Sequence, residues 1–143
     1  MDLGKAYDSV PLIKLWEVLN SNNINKNIIN AIQELYKNST SKVKIGKWLS
    51  QGFQISKGLR QGCSLSPTLF NIYIREAVKN WMKKCSPMGL IVGEETISTL
   101  FFADDQLVLA EDYDDIEYMT RNLMKEYDNW GLNLNIEKKT NIW

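Results

Sequence analysis

The segment Phe101-Phe102-Ala103-Asp104-Asp105-Gln106-Leu107-Val108-Leu109-Ala110 constrains the fold more than any other, because two apolar, strand-like runs meet at adjacent carboxylates. Short apolar runs joined by a tight polar junction form a β-hairpin. Neighbouring aspartates that are buried or half-buried repel each other, so a proton or a cation must relieve the charge. Among cations, hard Mg²⁺ suits such an oxygen-only pair. Aspartate is also an ordinary turn residue, and the pair gains chemical meaning only from the residues that accompany it. A further aspartate, Asp2, stands beside apolar chain at the start, and a glycine-rich, arginine-bearing loop, Gly58-Leu59-Arg60-Gln61-Gly62, lies between. Three carboxylates and a loop suited to phosphate point to two-metal phosphoryl transfer.

At 143 residues with 44% hydrophobic side chains, the chain has the size and apolar content of one domain with a real core. Lysine plus arginine and aspartate plus glutamate each total 17. No overall positive field therefore exists, and any contact with nucleic acid must be local. Cys63 and Cys85 lack paired spacing and the chain has no histidine, which argues against zinc and fits reduced thiols in the nucleus or cytoplasm. Every apolar run is shorter than a membrane span, and the first residues lack a signal-like core, so no membrane association or secretion is expected. Asn38-Ser39-Thr40 spells a glycosylation sequon and is read instead as a loop that ends a helix.

The hydrophobic pattern predicts α+β architecture, an antiparallel sheet with helices packed on it. Leu12, Leu15, Trp16 and Leu19 recur at helical spacing behind Pro11, in a helix ending within Asn20 to Asn23. Asn25 is expected to cap a second helix with Ile28, Ile32, Leu35 and Tyr36 on one face, stopped by Asn38 to Thr40. Residues 41 to 57 alternate like a β-hairpin that breaks at Ser50-Gln51-Gly52. Ser66 as cap and Pro67 at the first helical position open a helix that buries Phe70, Ile74, Ala77, Val78 and Trp81. Thr96 to Ala103 and Gln106 to Ala110 supply the strands around the aspartates, and that hairpin is expected at the centre of the sheet. Acidic residues Asp112 to Asp115 suit the positive end of a helix with Ile116, Met119, Leu123, Tyr127 and Trp130 inward. Leu132, Leu134 and Ile136 alternate like a last strand.

Four stretches occur in one order: Asp2-Leu3-Gly4-Lys5-Ala6-Tyr7-Asp8-Ser9-Val10, the loop Gly58 to Asn71, Phe102-Ala103-Asp104-Asp105, and Gly131 to Lys138. That order resembles the palm of a reverse transcriptase, and the wording is similar to the non-LTR, LINE-type retrotransposon enzymes, where FADD replaces YxDD. The resemblance spans residues 1 to 143 as a partial palm. It implies an RNA-directed DNA polymerase that uses an RNA template, a DNA primer and dNTP, with two Mg²⁺ ions (or Mn²⁺) on Asp2, Asp104 and Asp105. By the same resemblance, Tyr7 lies under the incoming sugar as a steric gate, and Arg60, Gln61 and Gly62 contact the templating pair and nucleotide. Lys138, with Lys139 one register away, is matched to the lysine that neutralises or protonates pyrophosphate. Asp8 matches a helix-capping position and Lys5 a solvated or phosphate-facing one.

The family carries a strand and fingers ahead of the first aspartate and a thumb beyond the fourth motif. The chain is therefore expected to hold a palm truncated at both ends, weakly active or inactive by itself, with exposed sheet edges that favour self-association. The alternative expectation is a non-catalytic retroelement remnant acting as an interaction or scaffold module.

Overall fold

The computed structural model describes residues 2–37, 39–102 and 105–135, with Asp2 and Asn135 described by backbone alone. Asn38, Ala103, Asp104, Ile136 and Lys138, each given a role above, lie outside the described residues. The elements in chain order are β1 (Asp2–Leu3), α1 (Ala6–Ser9), α2 (Leu12–Ser21), α3 (Lys26–Lys37), β2 (Thr40–Ser41), β3 (Lys44–Ile45), β4 (Trp48–Leu49) and β5 (Phe53–Gln54). There follow α4 (Ser66–Cys85), a 3-10 turn (Ser86–Met88), β6 (Leu90–Val92), β7 (Glu95–Ile97), β8 (Thr99–Phe102), β9 (Asp105–Val108), α5 (Tyr113–Asn129) and β10 (Leu134–Asn135). Helices with small antiparallel sheets make this an α+β fold, as the hydrophobic pattern predicts. Among the described residues, no helix is long and apolar enough to cross a membrane.

The core forms around α4. Phe70, Ile74, Ala77, Val78 and Trp81 are buried as expected, joined by Leu69, Tyr73 and Cys85 in one stripe at helical spacing. Buried aromatic groups need partners for their polar ends. The Trp81 indole N–H donates to the Met119 carbonyl at 2.8 Å, which ties α4 to α5. The Tyr73 hydroxyl donates to the Trp130 carbonyl while its ring meets the Trp130 ring edge-on at 5.4 Å. One expectation fails at the start of this helix. Ser66 is inside the first turn, and its Oγ donates to the Arg60 carbonyl at 2.6 Å instead of capping the helix. Burial drives the exchange, because Ser66 is 2% exposed and its hydroxyl must find an acceptor inside the fold.

Helix α2 buries Leu12, Leu15, Val18 and Leu19, with Trp16 half-buried edge-on against Tyr36 at 5.6 Å. The helix begins at Leu12, so Pro11 precedes the first turn. Asn25 caps α3 as expected, its Oδ1 accepting from the Asn27 N–H at 2.9 Å. The buried face of α3 is Ile29, Ile32 and Tyr36, whereas Ile28 and Leu35 are 54% and 49% exposed. The expected and observed faces share Ile32 and Tyr36, and packing against α2 selects Ile29 over Ile28 and Leu35.

The segment after α3 is antiparallel, but its turn falls elsewhere than expected. Ser41 pairs with Phe53, Lys44 with Leu49 and Ile45 with Trp48. The reversal lies at Gly46-Lys47, with Gly46 at φ +59° in the first central position of the turn. Ser50 instead bonds back to Val43, its N–H donating to the Val43 carbonyl and its Oγ accepting from the Val43 N–H, both at 2.9 Å.

The principal sheet has the order β10-β1-β9-β8, all antiparallel. β9 is interior as expected, while β8 is at an edge among the described residues. The strand expected from Thr96 to Ala103 is divided at Ser98, where the chain leaves β6 as partner and takes up β9. Behind β9, Gln106 is 2% exposed. Its Nε2 donates to Thr99 Oγ1 at 2.9 Å, and its Oε1 accepts from the Tyr127 hydroxyl on α5. Helix α5 is capped by Asp112, which accepts from the Asp115 N–H at 2.8 Å, and buries Met119, Leu123 and Tyr127. Ile116 and Trp130, also expected inward, are half-buried.

These contacts set two stability expectations, measurable by urea denaturation. Tyr127→Phe removes the hydroxyl donor to buried Gln106 and is expected to cost about 1–2 kcal/mol. Ile29→Ala empties a core position of α3 and is expected to cost about 2–4 kcal/mol, while Ile28→Ala costs less than about 1 kcal/mol.

Candidate functional site

Strand β1 runs between β10 and β9, and its register sets Asp2 directly opposite Asp105. Leu3, buried at 3% exposure, anchors the short strand in the core, and the Gly4 N–H continues the pairing to the Asn133 carbonyl at 2.9 Å. On the other side, Asp105 pairs with Phe102 across the β8–β9 hairpin. Asp105 is exposed and lines a groove of about 380 Å³ with Leu100, Phe101, Phe102, Gln106 and Leu107. Two aspartates are thus cross-strand partners in backbone register. Carboxylate is the donor type at both, which fits a hard divalent cation and not a soft one. Among the described residues, no group of three or more histidine, cysteine, aspartate or glutamate side chains is gathered for a metal.

A second cleft, of about 420 Å³, is lined by Tyr7, Gln61, Gly62, Cys63, Ser64 and Pro67 together with Ser66. The fold thereby brings together three of the residues singled out in the sequence, Tyr7, Gln61 and Gly62. Tyr7 lies on α1, where its ring stacks on Phe70 of α4 with centroids 4.8 Å apart and planes 19° from parallel. That stack fixes the ring against the core. Lys5, just before α1, is exposed and holds a left-handed φ of 51°, a conformation that costs energy for a residue with a Cβ.

The loop that supplies Gln61 is stitched to α1 through its backbone. The Gly58 N–H donates to the Val10 carbonyl and the Leu59 N–H to the Tyr7 carbonyl, each at 2.8 Å. Gly58 has φ +100°, and a Cβ there would lie 3.2 Å from the Asp8 backbone, so both conformation and space call for glycine. Asp8 departs from its expected capping role. It belongs to α1 itself, and its Oδ1 accepts from the Gln61 Nε2 at 2.9 Å. Nothing in the local sequence signals this contact, because the two residues are 53 positions apart.

Arg60 does not line that cleft. Its Nη1 donates to the Leu35 carbonyl at 3.1 Å near the end of α3, and its N–H donates to the Tyr36 hydroxyl at 3.3 Å. The residue therefore braces the loop against α3. Cys63 holds the loop's backbone turn, its N–H donating to the Arg60 carbonyl at 3.2 Å and its carbonyl accepting from Ser66 at 3.0 Å. The groups with displaced protonation lie in the core, and none of them lines either cleft. Burial raises the hydroxyl pKa of Tyr73 and of Tyr127 well above the usual phenol range, and burial first, then Asp115, raises the Cys85 thiol against the opposing pull of Lys84. All three stay neutral near pH 7 and serve packing.

Comparison with known proteins bears on this arrangement. The family described as "Reverse transcriptase (RNA-dependent DNA polymerase)" matches residues 1–143. The chain is 33% identical over 111 residues to the "Retrovirus-related Pol polyprotein from type-1 retrotransposable element R2" of Nasonia vitripennis, covering 78% of this chain and 10% of that protein. A protein of the same description from Popillia japonica is 31% identical over 144 residues, 99% of this chain and 20% of that one. The "Retrovirus-related Pol polyprotein from type-2 retrotransposable element R2DM" of Drosophila melanogaster is 26% identical over 138 residues, 96% and 13% respectively. The chain thus spans about a tenth to a fifth of the length of these curated relatives. With Asp2 facing Asp105 in the sheet and the match running from residue 1 to residue 143, the chain belongs to the reverse transcriptase (RNA-dependent DNA polymerase) family, among the relatives of R2-type non-LTR retrotransposon Pol polyproteins.

Proposed function

We propose that residues 1–143 form the palm of an RNA-directed DNA polymerase, which transfers a nucleotidyl group from dNTP to a primer 3′-hydroxyl on an RNA template. The observation that carries the reading is the backbone register of Asp2 against Asp105 across β1 and β9. Asp2, Asp104 and Asp105 would hold two Mg²⁺ ions, which when bound supply charge neutralisation at the reacting phosphate and acidify the attacking hydroxyl.

The remaining roles belong to the chain's own side chains. Tyr7, pressed on Phe70, presents a ring that cannot retreat into the core, so a 2′-hydroxyl on the incoming sugar meets a fixed wall. With its amide nitrogen committed to Asp8, Gln61 offers its carbonyl oxygen as an acceptor for a substrate donor. Gly62, at φ +79° with open space where a Cβ would stand, lets the nucleotide approach the backbone. Arg60 supports this surface from behind and reaches substrate by exchanging its single guanidinium bond to Leu35. Lys138 supplies a positive charge or a proton to the departing pyrophosphate.

Primer extension on poly(rA)/oligo(dT) with Mg²⁺ or Mn²⁺ tests the reading. At most weak extension by the chain alone is expected, and any extension seen is expected to fall about 10²–10³-fold or more in the Asp104→Asn, Asp105→Asn double variant. If neither extends the primer, the chain is either an incomplete polymerase or a non-catalytic remnant, and extension after the family's fingers and thumb are joined to it decides which. Tyr7→Ala is expected to raise ribonucleotide incorporation relative to deoxynucleotide by roughly 10–200-fold, read as the ratio of kcat/KM values.

A further inference from the structure

A third groove, of about 450 Å³, lies between α4 and β8, lined by Asn71, Ile74, Arg75, Val78 and Met82 of the helix and by Phe101 of the strand. Ile74 and Val78 are buried, whereas Met82 and Phe101 are 38% and 40% exposed and give the groove open apolar walls. The buried pair belongs to the stripe that the Tyr73 and Trp81 hydrogen bonds hold in register, so this part of the groove is built before any ligand arrives. Small-molecule sites share this make-up, with volumes of roughly 300–1,000 Å³, mostly apolar linings and a few polar groups that fix orientation. Of the residues that line the groove bearing Asp105, only Phe101 is shared, and none of those lining the Tyr7 cleft is.

The polar groups of the groove favour an anion. Arg75 is exposed and makes no hydrogen bond or ion pair among the described residues. The adjacent carboxylate, Glu76, is paired with Lys79 at 2.9 Å, and no carboxylate lines the groove. An uncommitted guanidinium presents a planar fork that matches one carboxylate in a bidentate pair. The Asn71 amide adds a further donor. Beside them the apolar walls gain from covering by hydrocarbon. A nucleoside triphosphate fits poorly, because it brings several charges to a single guanidinium.

We propose that the α4–β8 groove is a binding site for a small amphipathic anion of the class of a medium-chain carboxylate. Its head pairs with Arg75 and Asn71, and its hydrocarbon body lies along Ile74, Val78, Met82 and Phe101. Binding there needs neither metal, primer nor template, and it stands whether or not the chain polymerises DNA.

The test is displacement of the fluorescent apolar anion anilinonaphthalene sulfonate from the whole chain. Octanoate is expected to compete about 10-fold more tightly than octanol, the worth of a charge-assisted hydrogen bond. Decanoate is expected to exceed octanoate by roughly 10-fold for its two further methylenes. Arg75→Gln is expected to remove the preference for octanoate over octanol, and Met82→Ala to weaken both alike, roughly 5-fold. Lys83→Gln, at an exposed position of α4 outside the groove, is expected to change nothing. A preference for octanoate that survives Arg75→Gln would overturn the proposal, as would an equal loss in Lys83→Gln. Displacement by dTTP as tight as by octanoate would assign the dye to a nucleotide surface and also overturn it. Sedimentation examines the rival occupant, since self-association that excludes the dye would make the groove a contact between copies and overturn the ligand site. Thermal melting of Arg75→Gln, expected at the parent temperature because the side chain is exposed and unpaired among the described residues, separates lost binding from lost fold.

Discussion

The buried stripe of α4 is the constraint on which the other elements depend. Its 20 residues offer Phe70 to Tyr7, Tyr73 to the end of α5 and Trp81 to the α5 backbone, so one helix sets the position of α1 and α5 together. Apolar burial supplies the attraction, but it is non-directional. The two hydrogen bonds from Tyr73 and Trp81 give the packing its register, since an aromatic group with a buried polar end must meet a particular carbonyl. Remove that register and the loop that depends on Ser66 and Arg60 loses its seat on the helix.

The sheet depends on this packing more than on its own ladder. Among the described residues β1 and β10 span two residues each, a ladder that relies on tertiary support. Leu3 in the core and the Gln106–Thr99–Tyr127 network behind β9 provide it. The consequence for the site is direct, because the strand that bears Asp105 also bears Gln106 facing the helix layer. An exposed carboxylate and a buried amide on consecutive residues follow from the alternation of a strand, and the buried amide holds the carboxylate's strand in place.

Loop 58–62 joins the Tyr7 cleft to the arm of β2 to β5 and is held by backbone bonds. On one side its Gly58 and Leu59 N–H groups are bonded to the Val10 and Tyr7 carbonyls, and on the other it continues the arm of β2 to β5. Because those bonds are made by main-chain groups, many side chains along the loop could change without moving it, whereas Gly58 could not. The Asp8–Gln61 contact then ties the Gln61 amide nitrogen to α1.

Much of this was legible in the residue order, and the limits have a physical cause. The stripes of α2, α4 and α5, the Asn25 cap, the hairpin around the aspartates and the family motifs all depend on periodicity or on residues close in sequence. Elsewhere the local pattern admitted more than one answer. On α3, Ile32 and Tyr36 can share a face with Ile28 and Leu35 or with Ile29, and only the neighbour α2 chose between them. In the arm, glycines at 46 and 52 could each reverse the chain, and the pairing of Ile45 with Trp48 selected the first. The break at Ser98, the diversion of the Ser66 hydroxyl, the turning of Arg60 towards α3 and the reach of Gln61 to Asp8 all join residues or strands that meet only in space. The sequence by itself determined the amphipathic helices and the motif order, because short-range spacing encodes which side chains share a face. Which face was covered, and which polar group met which, only the tertiary structure decided, because a buried donor takes the nearest acceptor that folding brings to it.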